Sequence, residues 1–178
     1  MITTTLRKDV LEKYMSPYFF ETGTADGGAV NLAIEMGFEK IYSIEIDESL
    51  YVKNCEKFKK FIESGQVVLI LGDSLLKMEE IIPQLDKPTT FWLDAHVDFG
   101  PKGVKRCPLY EELEAIKTSN INNHKIMIDD MRIFGMHWGI GISSEALKKS
   151  LLEINPDYSI SIEDGYVPKD VLCAKILV

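Results

Sequence analysis

Two periods of hydrophobic recurrence alternate along this chain. Short apolar runs ending in an acid give way to stretches whose apolar residues return every three to four positions, the spacing of one helix face. Residues 3–15 predict a short amphipathic helix with Leu6, Val10, Leu11 and Tyr14 on one side, stopped at Ser16-Pro17 because proline disfavours helix in its predecessor. Tyr18-Phe19-Phe20-Glu21 reads as a short buried strand, and residues 27–36 as a helix carrying Ala29, Val30, Ala33 and Ile34 on its apolar face and closed by Gly37. Residues 40–46 form the second strand. Asp47 is the expected N-cap of a helix over 48–63, with Leu50, Cys55, Phe58 and Ile62 as its buried stripe. The run Val67-Val68-Leu69-Ile70-Leu71 predicts a third strand covered on both faces. Gly72-Asp73-Ser74 turns it into a helix ending near Pro83, and residues 89–94 make the fourth strand. A loop with Gly100, Pro101 and Gly103 leads to a helix over 109–117, and residues 124–130 form the fifth strand. The glycine-rich stretch 131–142 reads as a mobile loop before a helix over 143–154. Residues 158–162 alternate, Asp164-Gly165 turns, and residues 171–178 form a last apolar strand.

Five alternating strand–helix units predict an α/β, Rossmann-like, doubly wound parallel sheet. The last two strands have no room for a helix between them and are expected to pair as an antiparallel hairpin. No linker or repeat interrupts residues 1–178, so one domain is expected. Hydrophobic residues make up 46% and charged residues 27%, the balance of an ordinary globular chain. The net charge of −8 argues against a nucleic-acid partner, because phosphate neutralisation needs clustered Lys and Arg. No apolar run approaches the ~18 residues of a membrane helix, and the polar start carries no secretory signal. Cys55, Cys107 and Cys173 are widely spaced and odd in number, which predicts reduced thiols and a cytoplasmic protein.

Ligands of such a sheet bind beyond the carboxyl ends of the strands. Every one of those ends is acidic here: Glu21, Glu45, Asp73, Asp94 and Asp129-Asp130. Between the first two lies Thr22-Gly23-Thr24-Ala25-Asp26-Gly27-Gly28, a glycine-rich turn that runs straight into a helix, whose free N–H groups attract a ligand. Glu45 follows Gly23 by 22 residues, close to the roughly 20-residue spacing at which a nucleotide-binding unit presents an acid to a ribose. A loosened dinucleotide fingerprint, Gly23-x-Ala25-x-x-Gly28 with Glu45, fits as well and keeps an NAD(P)-binding oxidoreductase as an alternative. Against it, no substrate domain follows and no Tyr-x-x-x-Lys pair stands near the fifth strand.

The ordered set of motifs resembles the class I S-adenosylmethionine-dependent methyltransferases over nearly the whole chain. That resemblance implies a seven-stranded sheet of order 3-2-1-4-5-7-6 with strand 7 antiparallel, and S-adenosylmethionine as cofactor. It assigns Glu21, Gly23, Thr24, Ala25, Gly27 and Gly28 to the cofactor loop, Glu45 to the ribose, Asp73 and Ser74 to the adenine side, and Ile46 and Asp94 to the cofactor-binding residues beside them. Ala25 departs from the pattern: many members have glycine there, and alanine does not take a positive φ cheaply. A narrower resemblance, to metal-dependent O-methyltransferases of the catechol type, rests on Trp92-Leu93-Asp94-Ala95-His96 and Ile128-Asp129-Asp130. It implies that Asp94, Asp129 and Asp130 hold Mg²⁺ or another hard divalent cation, which lowers the pKa of an acceptor hydroxyl. The segment Cys107-Pro108-Leu109-Tyr110-Glu111-Glu112-Leu113 is also similar to small methyltransferase-like proteins, some found near glycan genes.

Asp94 and His96 are the expected catalytic pair, His96 as base or further ligand, against the plainer role of a histidine bonded within its loop. His137-Trp138 is placed to close over a substrate or simply to pack its loop. Lys102, Lys105 and Arg106 suit an anionic group or form a solvated loop face. His124 is expected to be structural. The expected activity is O-methylation of a small-molecule or glycan acceptor. A non-catalytic cofactor-binding protein of the same fold is a further alternative, and a homodimer is compatible with the sequence.

Overall fold

A computed structural model describes residues 4–95, 107–134 and 142–177. Seven strands form one sheet in the order β3-β2-β1-β4-β5-β7-β6. They are β1 (Tyr18–Thr22), β2 (Lys40–Glu45), β3 (Val67–Leu71), β4 (Thr89–Leu93), β5 (Lys125–Ile128), β6 (Tyr158–Glu163) and β7 (Val171–Ile176). β1 to β5 run parallel, and β7 lies antiparallel to both β5 and β6. Both the strand order and the antiparallel closing hairpin agree with expectation.

The helices are α1 (Lys8–Leu11), α2 (Gly28–Met36), α3 (Glu48–Lys57), α4 (Lys59–Glu63), α5 (Ser74–Ile81), α6 (Leu109–Lys117) and α7 (Ser144–Ile154). They divide between the two faces of the sheet, and the strands alternate to match. Phe20, Phe91 and Leu93 join Met78, Leu113 and Leu147 on one side. Phe19 and Trp92 join Leu11, Tyr14, Val30 and Phe58 on the other. β1 and β4 are buried along their whole length, because helices cover both sides of the centre of the sheet.

Three elements differ from the sequence reading. The first helix is only α1 followed by a 3-10 turn over Glu12–Tyr14. The helix expected over 48–63 breaks at Phe58, whose φ of −104° and ψ of 13° leave the helical region, so α4 starts anew. Along this stretch the residues turned inward are Asn54 of α3 and Phe58 at the break, whereas Cys55 is only half-buried. β3 is an edge strand: Val67 is buried but Leu71 is exposed. An apolar run records a tendency to be buried, while position in the sheet decides how far it is met.

Candidate cofactor site

The parallel strands present their acids on one edge. β1 lies between β2 and β4, so the strand order reverses beside it, the place where sheets of this kind form their ligand crevice. Glu21 is fully buried at this point and accepts the Ser43 hydroxyl at 2.6 Å, while the Thr24 hydroxyl meets Ser43 at 2.5 Å. Burial and, secondarily, the nearby Glu45 push the Glu21 carboxyl up to about 8. The loop then climbs over the edge. Gly23 and Thr24 donate their N–H groups to the Ile44 carbonyl at 2.9 and 3.2 Å. Gly23 has a φ of 86°, and a Cβ there would meet the Asp94 carbonyl oxygen at 3.0 Å, so the crossing strand end requires glycine.

Glu45 anchors the far side of the loop. One carboxylate oxygen accepts the Ala25 N–H and the other the Asp47 N–H, each at 2.8 Å. Ala25 sits at a φ of 48°, the left-handed region in which glycine is usual. Helix α3 holds the loop from below: Asn54 donates to the Ala25 carbonyl at 2.8 Å, Lys57 to the Asp26 carbonyl at 2.6 Å, and Lys53 pairs with the Asp26 side chain at 2.8 Å. Asp47 caps this helix by accepting the Leu50 N–H, as expected.

Asp73 caps α5 through the Leu75 N–H at 3.0 Å, and Ser74 behind it is buried. Ser74 and Thr22 present their hydroxyls to Glu112, a fully buried carboxyl on α6 that burial pushes up to about 7. Thr22 also accepts the Asp94 N–H at 3.3 Å. Asp94 is held up at about 9, first by burial and then by the charges of Asp129, Asp130 and Glu21. These acids therefore disfavour one another's ionisation, and a ligand that brings positive charge relieves them.

Beyond β5 the carboxylates of Asp129, Asp130 and Asp170 gather so that one oxygen of each lies within 4.8 Å of the others. Asp170 enters this group from the start of β7; Asp94 lies nearby and outside it. Oxygen donors of this kind fit a hard cation. Arg132 now occupies part of that role, bridging Asp130 at 2.5 Å and Asp170 at closer range. Thr5 of the amino-terminal segment donates to Asp129, bringing that segment onto the same edge.

No sequence-family model matches the chain, and no curated relative matches it by sequence. Solved structures do match. The S-adenosylhomocysteine-bound methyltransferase PaMTH1 from Podospora anserina superposes with a TM-score of 0.65 at 15% identity, over 96% of this chain and 76% of its own. An O-methyltransferase from Bacillus cereus in complex with S-adenosylhomocysteine gives 0.64 at 11%, over 94% and 78%. A protein assigned as a caffeoyl-CoA O-methyltransferase from Staphylococcus aureus gives 0.62 at 15%, over 94% and 80%. The fold is that of the class I methyltransferases.

On this class I framework the expected cofactor residues converge. Glu21, Gly23, Thr24, Ala25, Gly27, Gly28 and Glu45 form one continuous loop and floor. Ile46 stands beside them with its side chain half exposed, and Asp73 and Ser74 flank the adjacent strand end. Asp94, Asp129 and Asp130 share the edge, although the tight carboxylate group takes Asp170 as its third member. His96, Lys102, Lys105, Arg106, His137 and Trp138 lie outside the described residues. His124 is structural as expected: it is buried, accepts the Thr89 N–H at 3.1 Å and meets Ser119 at 2.8 Å. Sequence reasoning missed Asn54, Glu112 and Asp170. For two of them a signal existed, since Glu112 falls between Leu109 and Leu113 on the buried face of α6, and Asn54 lies midway between Leu50 and Phe58 on that of α3.

Proposed function

We propose that the chain is an S-adenosylmethionine-dependent methyltransferase that methylates oxygen on a small-molecule or sugar-like acceptor. The observation that carries this reading is the sign of the crevice. Glu21, Asp94, Asp129 and Asp130 act on one another there, and the nearest described lysines of α3 are engaged with Asp26 and the loop carbonyls. A sulfonium cofactor brings a positive charge into these acids, whereas the pyrophosphate of a dinucleotide brings negative charge against them. The fold supports the same choice, since the Podospora and Bacillus proteins it resembles carry S-adenosylhomocysteine.

In this reading the Glu45 carboxylate receives the ribose hydroxyls, Ile46 lies against the adenine and Asp73-Ser74 bound its far side. The Gly23–Gly28 backbone approaches the cofactor closely because it carries so little side chain. The acceptor oxygen attacks the methyl carbon in line with the breaking S–C bond. A C–O bond forms, S-adenosylhomocysteine leaves, and the hydroxyl proton passes to Asp94, whose carboxyl the bound sulfonium keeps ionised against the burial that otherwise holds it protonated. Most of the acceleration comes from holding the two reactants in line. Asp129, Asp130 and Asp170 would hold a divalent cation, which when bound supplies Lewis-acid polarisation of the acceptor oxygen.

Thermal unfolding with added ligand tests the reading. At a hundredfold excess over Kd, S-adenosylhomocysteine should add about 2.7 kcal/mol, raising Tm by roughly 5–10 °C for a chain of this size, and NAD should leave it unchanged. Stabilisation by NAD alone overturns the proposal. Transfer of a labelled methyl group to an acceptor library then separates an enzyme from a protein that only binds the cofactor.

A further inference from the structure

We propose that Asn54 is the positioning residue of the cofactor loop, holding Ala25 in the left-handed conformation that the loop needs and so doing the work of a glycine. The inference rests on the reading that this loop takes S-adenosylmethionine. Asn54 is 1% exposed, and its Nδ2 donates to two carbonyls, that of Ala25 at 2.8 Å and that of Leu50 at 3.0 Å. Only the nitrogen end of the amide can face two acceptors, which fixes its orientation. The Oδ1 atom is left buried without a hydrogen-bond partner, facing the Cα of Gly27, where an added Cβ would lie 2.5 Å away. An apolar residue of this size would avoid that unsatisfied oxygen. The amide is therefore explained by what its Nδ2 does for the loop.

Both ends of the Ala25 residue are held. Its N–H goes to Glu45 and its carbonyl to Asn54, while its φ of 48° lies where an alanine resides roughly tenfold less readily than a glycine. Released from Asn54, Ala25 can rotate back to a negative φ, which withdraws its N–H from Glu45. The carboxylate that should receive the ribose then loses one of its two backbone donors. Phe58 completes the support by filling the space under Gly27, one helical turn along from Asn54. Asn54 acts through the Ala25 carbonyl, which makes it a positioning residue.

The test compares wild type, Asn54→Leu, Ala25→Gly and the double variant by calorimetric titration with S-adenosylhomocysteine. Asn54→Leu should weaken binding roughly tenfold. Ala25→Gly in that background should restore affinity to within about threefold of wild type, because glycine adopts the left-handed conformation unaided. A purely packing role for Asn54 predicts no rescue by glycine, and that result overturns the inference, as does unchanged affinity in Asn54→Leu. Should Asn54→Leu fail to fold, Asn54→Asp serves, since it keeps the shape and loses both donors. Amide hydrogen exchange at Ala25 supplies a ligand-free readout: protection by Glu45 in wild type, at least tenfold faster exchange in the Asn54 variants, and slow exchange in both overturns the inference. Absence of S-adenosylhomocysteine binding to wild type would instead sink the cofactor reading and leave the exchange result to judge Asn54.

Discussion

Gly27 and Gly37 share a left-handed backbone and differ in everything around it. Gly27 has a φ of 73°, and a Cβ there would lie 2.5 Å from Asn54 Oδ1 and 2.6 Å from the Phe58 ring. Gly37 has a φ of 81° and nothing within 4 Å of the same added atom. Gly37→Ala should therefore cost only the backbone preference, about 1 kcal/mol. Gly27→Ala adds overpacking against two buried groups and should cost about 3 kcal/mol. Urea midpoints of the two variants check the difference. Binding of S-adenosylhomocysteine should survive in the first and be lost in the second, because only Gly27 joins the loop to α2. Equal costs at the two sites would mean that the space beneath Gly27 yields, and that the loop is softer than its contacts imply.

Between elements, the strongest joints are polar groups buried where strands and helices meet. His124 precedes β5, accepts the first N–H of β4 at Thr89, meets Ser119 after α6 and packs its ring edge-on to Phe91. His124→Ala leaves the Thr89 N–H buried without its acceptor and opens a gap beside Phe91. A loss of about 2–4 kcal/mol follows, read as a lower urea midpoint with cofactor affinity unchanged, since this joint lies at the amino end of the strands. Asp170 makes a second joint, tying the start of β7 to Arg132 and, through the Met131 N–H at 3.0 Å, to the turn after β5. The chain's own pattern announced the strands at either side of these joints, because an apolar run closed by an acid is a local signal. It also announced Glu45 and Asp94, which stand where their strands end. It marked Asn54 and Glu112 only as polar residues on buried helix faces and gave no sign of Asp170, since each reaches the site from another element by packing. The break at Phe58 was hidden for a similar reason: helical periodicity runs through residues 48–63, and the tertiary fit of Phe58 beneath Gly27 overrides it. Ala25 is the reverse case, a residue whose unfavourable conformation was foreseeable and whose support was not.

At the scale of the molecule the buried acids make stability depend on pH with an unusual sign. Glu21 and Glu112 have folded values of about 8 and about 7, above the ordinary 4.5. The folded chain therefore binds protons that the unfolded chain has released, and stability falls as pH rises from 4.5 towards 8. For Glu21, on the order of 3 kcal/mol is lost by pH 7. His124 works the other way: its folded value of about 4 lies below the ordinary 6.5, so the unfolded chain takes up a proton first and stability falls as pH drops from 6.5 to 4. Asp94, at about 9, and Asp129, at about 6, act in the same direction as Glu21 and Glu112, so from 4.5 to 6.5 these carboxyls oppose one imidazole, and above 6.5 they act alone. The urea midpoint should thus peak near pH 5 and decline towards pH 8. Glu21→Gln and Glu112→Gln should each flatten the decline, as a neutral amide has no proton to lose, while His124→Ala should flatten only the acid limb. A midpoint that climbs from pH 5 to pH 8 would mean that these carboxyls are ionised in the folded chain and that the crevice holds its charge by other means. Adding S-adenosylmethionine at pH 8 should restore much of the lost stability, because its sulfonium supplies the positive charge that the acids at the strand ends lack.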